Sequence, residues 1–225
     1  MKSWAKNNLF LLIPLFPIIF FLILTLPFWG EPPALDSMVI YREATQFSSG
    51  GIREIIASGV TIHPPLIYIL TSLAFLLFGK NPLSFNLLGF LLFSIDVFLL
   101  FLISKRIFNF KFATTFILIL FLNPFIIIHS IYPTNDFLIL SLLIWILFFY
   151  LKGKKTVTSL LLAISILTKE TAIIIILSFA FTIIINSYLK GSKKLIDIGQ
   201  NLIIFIPSII TFISWRIFLK VMNTT

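Results

Sequence analysis

Runs of about 20 mostly apolar residues recur along this chain, and they suit only one solvent. A helix rises about 1.5 Å per residue, so about 20 residues cover the roughly 30 Å hydrocarbon layer of a bilayer. Such runs occupy residues 8–29, 82–104, 112–130, 133–151, 171–189 and 195–218. A shorter run at 157–168 crosses only if Thr156 and Lys169 snorkel or neighbouring helices thin the barrier. The run at 64–78 would make a helix of only about 22 Å.

Composition agrees. Of 225 residues, 59% are hydrophobic and only 11% charged, against roughly 25% charged in soluble domains. The 27 Phe residues and long Leu and Ile runs exclude a disordered chain. A net charge of +9 suggests nucleic acid, but the bases sit in short clusters between apolar runs. That is the pattern of cytoplasmic loops in a polytopic membrane protein. Nucleic acid is therefore excluded as a partner. Zero cysteines remove disulfides, thiolate nucleophiles and Cys-based metal sites. Lys2 and Lys6 precede the first run and no small-x-small cleavage site follows it, so it is read as an uncleaved first span rather than a signal peptide.

Sorting the charges by side constrains the topology. Suppose 64–78 does not cross and the N-terminus is cytoplasmic. Seven spans then put Lys2, Lys6, Lys105, Arg106, Lys111, Lys152, Lys154, Lys155, Lys190, Lys193 and Lys194 inside, 11 of the 17 bases. Six of the eight acids, Glu31, Asp36, Glu43, Glu54, Asp136 and Glu170, fall outside. If 64–78 crosses with the N-terminus still inside, the split reverses and opposes the positive-inside rule. An eight-span arrangement with the N-terminus outside scores equally well, but separates the first loop from the loop ending at Asp136. Seven spans are preferred, with 64–79 as a partly embedded juxtamembrane helix.

The expected fold is therefore all-α and polytopic in the cell membrane: about seven transmembrane helices in a single module spanning 1–225. The outer loop at 30–63 carries two interfacial helices. In the first, Met38, Val39, Tyr41, Ala44 and Phe47 recur at near-helical spacing, with Arg42, Glu43 and Gln46 on other faces. Ser48-Ser49-Gly50-Gly51 breaks it. Ile52, Ile55 and Ile56 mark the second.

Few side chains in such a chain can carry chemistry. Asp36 follows the first span and Asp136 opens a later one. Each suits a helix N-cap, yet together they place two carboxylates on one membrane face, able to supply a base and to position a nucleophile or divalent cation. His63 precedes Pro64-Pro65-Leu66 at headgroup depth, where it can meet a phosphate or simply be wetted. Lys169-Glu170 interrupts the apolar stretch between two short spans, either as a turn or as a second phosphate contact. Asp96 lies mid-span, a functional candidate by default, although bonding between helices explains it equally. Asn123-Pro124 predicts a kink.

In order along the chain, Asp36 with Tyr41 and Ala44, Gly50, His63-Pro64-Pro65-Leu66, Gly79, Lys105-Arg106 before Phe108, Asn123-Pro124, Asp136 and Leu167-Thr168-Lys169 resemble the C-type glycosyltransferases. These membrane enzymes, which include protein mannosyltransferases and lipid A aminoarabinose transferases, take a sugar from a polyprenyl-phosphate carrier. The resemblance implies Asp36 as catalytic base and Asp136 as the acid assisting at the acceptor or a metal. It also implies His63 and Lys169 on the donor phosphate, with Tyr41, Arg42 and Glu170 supporting. A divalent cation, Mg or Mn, would rest on Asp36 and Asp136. An Arg often found early in the span at 82–104 is replaced by Asn86, and the second outer acid stands alone as Asn135-Asp136. Many members continue with further spans, so this chain corresponds to their shared catalytic module.

The expected activity is inverting sugar transfer on the outer face, from a lipid-linked donor to a protein, lipid or glycan acceptor. Two other readings remain: a multi-pass transporter or lipid flippase with Asp96 and Lys169 on its path, and a non-catalytic subunit that needs a second membrane chain.

Overall fold

The computed structural model describes residues 12–34, 36–51, 64–121, 123–189, 199 and 201–222, and these are helical with no strand among them. In chain order the α-helices are α1 (Leu15–Thr25), α2 (Asp36–Gly50), α3 (Leu66–Phe78), α4 (Pro82–Ile107), α5 (Phe110–Phe121), α6 (Pro124–Ile131), α7 (Asn135–Leu151), α8 (Lys155–Ile166), α9 (Ala172–Leu189) and α10 (Ile206–Met222). Short 3-10 turns follow α1 and precede α10.

The boundaries follow local chemistry. Asn81 caps α4, its side chain accepting the Ser84 N–H at 2.9 Å, with Pro82 at the first helical position where no N–H is needed. Thr134 caps α7 in the same way through the Phe137 N–H, and Asn123 caps α6. At Asn123-Pro124 the expected kink is a full break: α5 and α6 diverge by 69°. α2 runs through Ser48, Ser49 and Gly50 and stops at Gly51, whose φ of 68° lies in the left-handed region. The sequence predicts the break slightly too early.

Among the described residues, three elements are long and apolar enough to cross a membrane, α4, α9 and Ile203–Val221, or four if α5 and α6 together form one bent span. α1 with its turn, α3, α7 and α8 are shorter apolar helices. The region 8–29 is described only from residue 12, and the second interfacial helix around Ile52–Ile56 lies outside the described residues. The outer surface has the inverted polarity of a membrane protein: Leu76 is 80% exposed and Ile119 67%, which water would disfavour and acyl chains accept.

In lipid, helices gain little from burying apolar area against one another, so close packing and hydrogen bonds must hold the bundle. Both are present. α4 is the central element, flanked by α1, α3, α6 and α7. Phe21 of α1 stacks on Phe93 of α4 at 4.1 Å. Gly89 of α4 lies against the Ser130 carbonyl and the Pro133 ring, where an added Cβ would collide. Asp96 of α4 accepts hydrogen bonds from Ser141 Oγ (2.5 Å) and Trp145 Nε1 (2.8 Å) of α7. A second core joins α7, α8, α9 and α10 around Ile146, Leu162, Ile166 and Ile176.

Both ends of α3 are tied to the loop layer. The Leu66 N–H donates to the Leu167 carbonyl at 2.8 Å, and Lys80 Nζ lies 3.3 Å from Ser49 Oγ at the end of α2. Asn86 accepts from the Gly30 N–H (3.0 Å) and donates to the Ile131 carbonyl (2.9 Å). It therefore stitches the first loop to the loop before α7.

Candidate functional site

Three helix starts and one hairpin turn converge on a cavity of about 130 Å³ lined by Asp36, Val39, Ile40, Tyr68, Thr134, Asn135, Asp136 and Lys169. Asp36 opens α2 and Asp136 lies in the first turn of α7. Ser37, next to Asp36, donates its hydroxyl to the Tyr132 carbonyl at 3.0 Å, which fixes the start of α2 against the loop before α7. The two carboxylates thus share one cavity although 100 residues separate them.

Lys169 comes from the turn between α8 and α9. Successive turn hydrogen bonds, Thr168 N–H to Ser165 and Ala172 N–H to Lys169, shape that reversal. Its ammonium donates to Asp136 Oδ1 at 2.9 Å. An ammonium carries three N–H donors, and this bond uses one of them. Because Leu66 is bonded to Leu167, the Pro64-Pro65-Leu66 segment lies beside the same turn. His63 itself lies outside the described residues.

Beneath the cavity is a polar pair not expected from the sequence. Glu43 is 1% exposed, on the face of α2 shared with Ser37, Ile40 and Ala44. The apolar spacing assigns Glu43 to a solvated face, but Met38 and Val39 are the exposed side chains. The physical reason is the partner: α2 packs on α3, which presents Tyr68, Thr71 and Ser72, and Ser72 Oγ donates to the Ala44 carbonyl at 3.1 Å. Tyr68, 1% exposed, hydrogen-bonds Glu43. Burial pushes the Tyr68 phenol well above its ordinary value, reinforced by the Glu43 hydrogen bond and the charges of Glu43 and Glu170. The phenol stays protonated and donates. A tyrosine three residues beyond Pro65 in an apolar run is the signal that marks it.

Other expected residues lie elsewhere. Tyr41 packs edge-on against Phe75 and Phe85, at 5.3 and 5.9 Å between ring centres. Arg42 is exposed on α2. Neither lines the cavity. Glu170 is half-buried beside Lys169 and acts on Tyr68 through its charge. Asp96 is buried and bonded by two donors between α4 and α7, and does not line the cavity.

Among the described residues, the buried polar atoms near the site that have no hydrogen-bond partner include Asn135 Oδ1 and Thr168 Oγ1, with Glu43 Oε2 and Thr71 Oγ1 beneath them. Such orphans are uncommon in folded proteins and call for an explanation. For a divalent cation the donor set fits poorly. The described residues contain no group of three or more His, Cys, Asp or Glu side chains placed to hold a metal ion. Magnesium takes about six oxygen ligands, and Asp136 already carries the Lys169 ammonium.

Neither a curated protein nor a solved structure matches the chain. A family profile does, over residues 62–215, about two thirds of the length, and it is described as dolichyl-phosphate-mannose-protein mannosyltransferase. The match begins at the His63-Pro64-Pro65 segment and takes in Asp136 and Lys169, while Asp36 lies upstream of it. Together with the inverted surface and helical bundle, this match makes the protein a membrane glycosyltransferase of the C type: the chain belongs to the dolichyl-phosphate-mannose-protein mannosyltransferase family.

Proposed function

We propose that this chain moves a sugar from a polyprenyl-phosphate carrier to an acceptor hydroxyl or amine on the outer membrane face, with inversion at the anomeric carbon. The observation that carries this reading is the convergence of Asp36, Asp136 and Lys169 on one cavity. At roughly 30 Å³ per water, about 130 Å³ holds a reacting centre and its immediate atoms, not a whole glycan.

Asp36 is the general base. It takes the proton of the acceptor as the acceptor atom attacks the anomeric carbon. The bond from that carbon to the phosphate oxygen breaks, and its electron pair leaves with the polyprenyl phosphate. Lys169 neutralises the leaving phosphate with the N–H donors that Asp136 does not use, and His63, just before Pro64 in sequence, is its proposed partner there. Asp136 holds the Lys169 ammonium in register and faces the acceptor. The amide oxygen of Asn135 accepts a substrate hydroxyl, which would explain its orphaned state. No step passes through a metal ion.

The proposed topology has seven crossings with the N-terminus cytoplasmic and α3 as a juxtamembrane helix. A carrier lipid reaches this cavity laterally, its phosphate at headgroup depth. The test is turnover of a radiolabelled polyprenyl-phosphate hexose by the purified full chain in liposomes. Asp36→Asn is expected to lower turnover by at least about 100-fold, the usual scale of general-base catalysis. Full activity in that variant overturns the assignment of the base.

A further inference from the structure

Most polar groups in the wall of the candidate site are already engaged. Thr134 Oγ1 accepts the Phe137 N–H at 3.2 Å, Tyr68 hydrogen-bonds Glu43, and Asp136 accepts from Lys169 at 2.9 Å. Asn135 is different. It lines the cavity and is only 7% exposed, yet its Oδ1 has no hydrogen-bond partner among the described residues. An amide oxygen only accepts, so a ligand that satisfies it must bring an O–H or N–H. Water can meet such an acceptor until a substrate enters. A substrate that displaces the water must then reproduce its bond or lose affinity.

The chemistry of the donor narrows which group this is. In the proposed reaction, on which this inference rests, Lys169 meets the phosphate attached to the anomeric carbon. A cavity of about 130 Å³ is room for about four waters, so groups that touch Lys169 and Asn135 together are only a few bonds apart. Asn135 and Asp136 are consecutive in the first turn of α7, and Asp136 is bonded to Lys169, which keeps the amide close to the ammonium. The sugar hydroxyl nearest the phosphate is the one on C2, next to the anomeric carbon. The ring oxygen, on the other side of that carbon, has no proton to give. We infer that Asn135 is a specificity-determining residue whose Oδ1 accepts a hydrogen bond from the C2 hydroxyl of the donor sugar, so that the site selects 2-hydroxy sugars over 2-deoxy ones. Polar sites discriminate best against a missing hydroxyl, because the analogue leaves a buried acceptor unpaired.

The test reads equilibrium binding rather than turnover. The purified full chain in neutral detergent is titrated with decaprenyl phosphate, decaprenyl-phosphate mannose, decaprenyl-phosphate glucose and the single 2-deoxy analogue that these two epimers share. The wild-type chain is expected to bind the better of the two hexose donors about 10- to 100-fold more tightly than the 2-deoxy analogue, the scale of one buried acceptor left unpaired. Asn135→Leu, close in size and without an acceptor, should bring the two within about threefold. That ratio is taken within one preparation, so a general loss of active protein does not alter it. If Asn135→Leu fails to fold, Asn135→Ala should give the same collapse of the ratio. Equal binding of the hexose and 2-deoxy donors by the wild type overturns the inference and leaves the lipid-linked donor itself standing. A preference that survives intact in the Asn135 variants overturns the assignment to this residue. Hexose donors bound no more tightly than decaprenyl phosphate would remove the sugar-donor reading, and this inference with it.

Discussion

Lys169 and Asp136 make an ion pair at 2.9 Å, yet their side chains are 28% and 71% exposed. Exposed pairs contribute about 0–1 kcal/mol, so this one positions charge and does little for the fold. Lys169→Gln should therefore leave the thermal midpoint within a few degrees of wild type, while donor KM in the radiolabelled assay rises about tenfold or more. A large loss of stability with unchanged KM would contradict the donor contact. The Glu43–Tyr68 pair is the opposite case. Both residues are buried, so Tyr68→Phe removes a donor from an enclosed carboxyl group, a change of about 1.5–3 kcal/mol. Chemical unfolding in detergent should show that loss, and Tyr68→Phe should be nearly neutral in a Glu43→Leu background, where no acceptor remains. Additive losses would mean that the two side chains are not coupled. Asp36, Asp136 and Lys169 were legible in the sequence because a charge stands out in an apolar chain. Glu43 was not, because α2 sits in a polar segment where the lipid-facing side takes Met38 and Val39. Apolar spacing then marks the outside of the helix, and the polar residues turn inward to Tyr68.

At the scale of elements, the pairing of α4 with α6 and α7 depends on contacts that apolar patterning does not encode. Gly89 admits the backbone of Ser130, and any Cβ there pushes α6 away from α4. Gly89→Ala is expected to cost about 1–3 kcal/mol, the usual range for overpacking, read as a lower thermal midpoint of the purified protein. A neutral Gly89→Ala would mean that α6 is free to shift. Asp96 ties α4 to α7 through Ser141 and Trp145, which supports its reading as a bond between helices. The break at Asn123-Pro124 was legible because proline removes a backbone donor and asparagine caps the next helix. Its 69° angle was not, since that depends on how α6 seats on Gly89. Span counting by length also reaches its limit here. α7 has 17 residues and α8 only 12, and whether such helices cross depends on their neighbours and the local bilayer thickness.

For the whole molecule, charge counting along the sequence leaves two topologies, and they differ in where the loops lie. In the eight-span arrangement, α3 crosses and the first loop faces the side opposite Asp136. The cavity shared by Asp36 and Asp136 requires both loops on one side, which counts against the eight-span arrangement. The ties from Leu66 to Leu167 and from Lys80 to Ser49 agree, since both ends of α3 meet segments adjoining that same loop layer. With no native cysteine, single replacements report without background. Lys80→Cys, just after α3, should react with an impermeant maleimide added outside intact cells. Lys111→Cys, one helix further along, should react only after permeabilisation. α4, at 26 residues and about 39 Å, separates the two positions by a full bilayer. Labelling of both from the same side would place α4 within one leaflet and remove the basis for a lipid-fed site at Asp36.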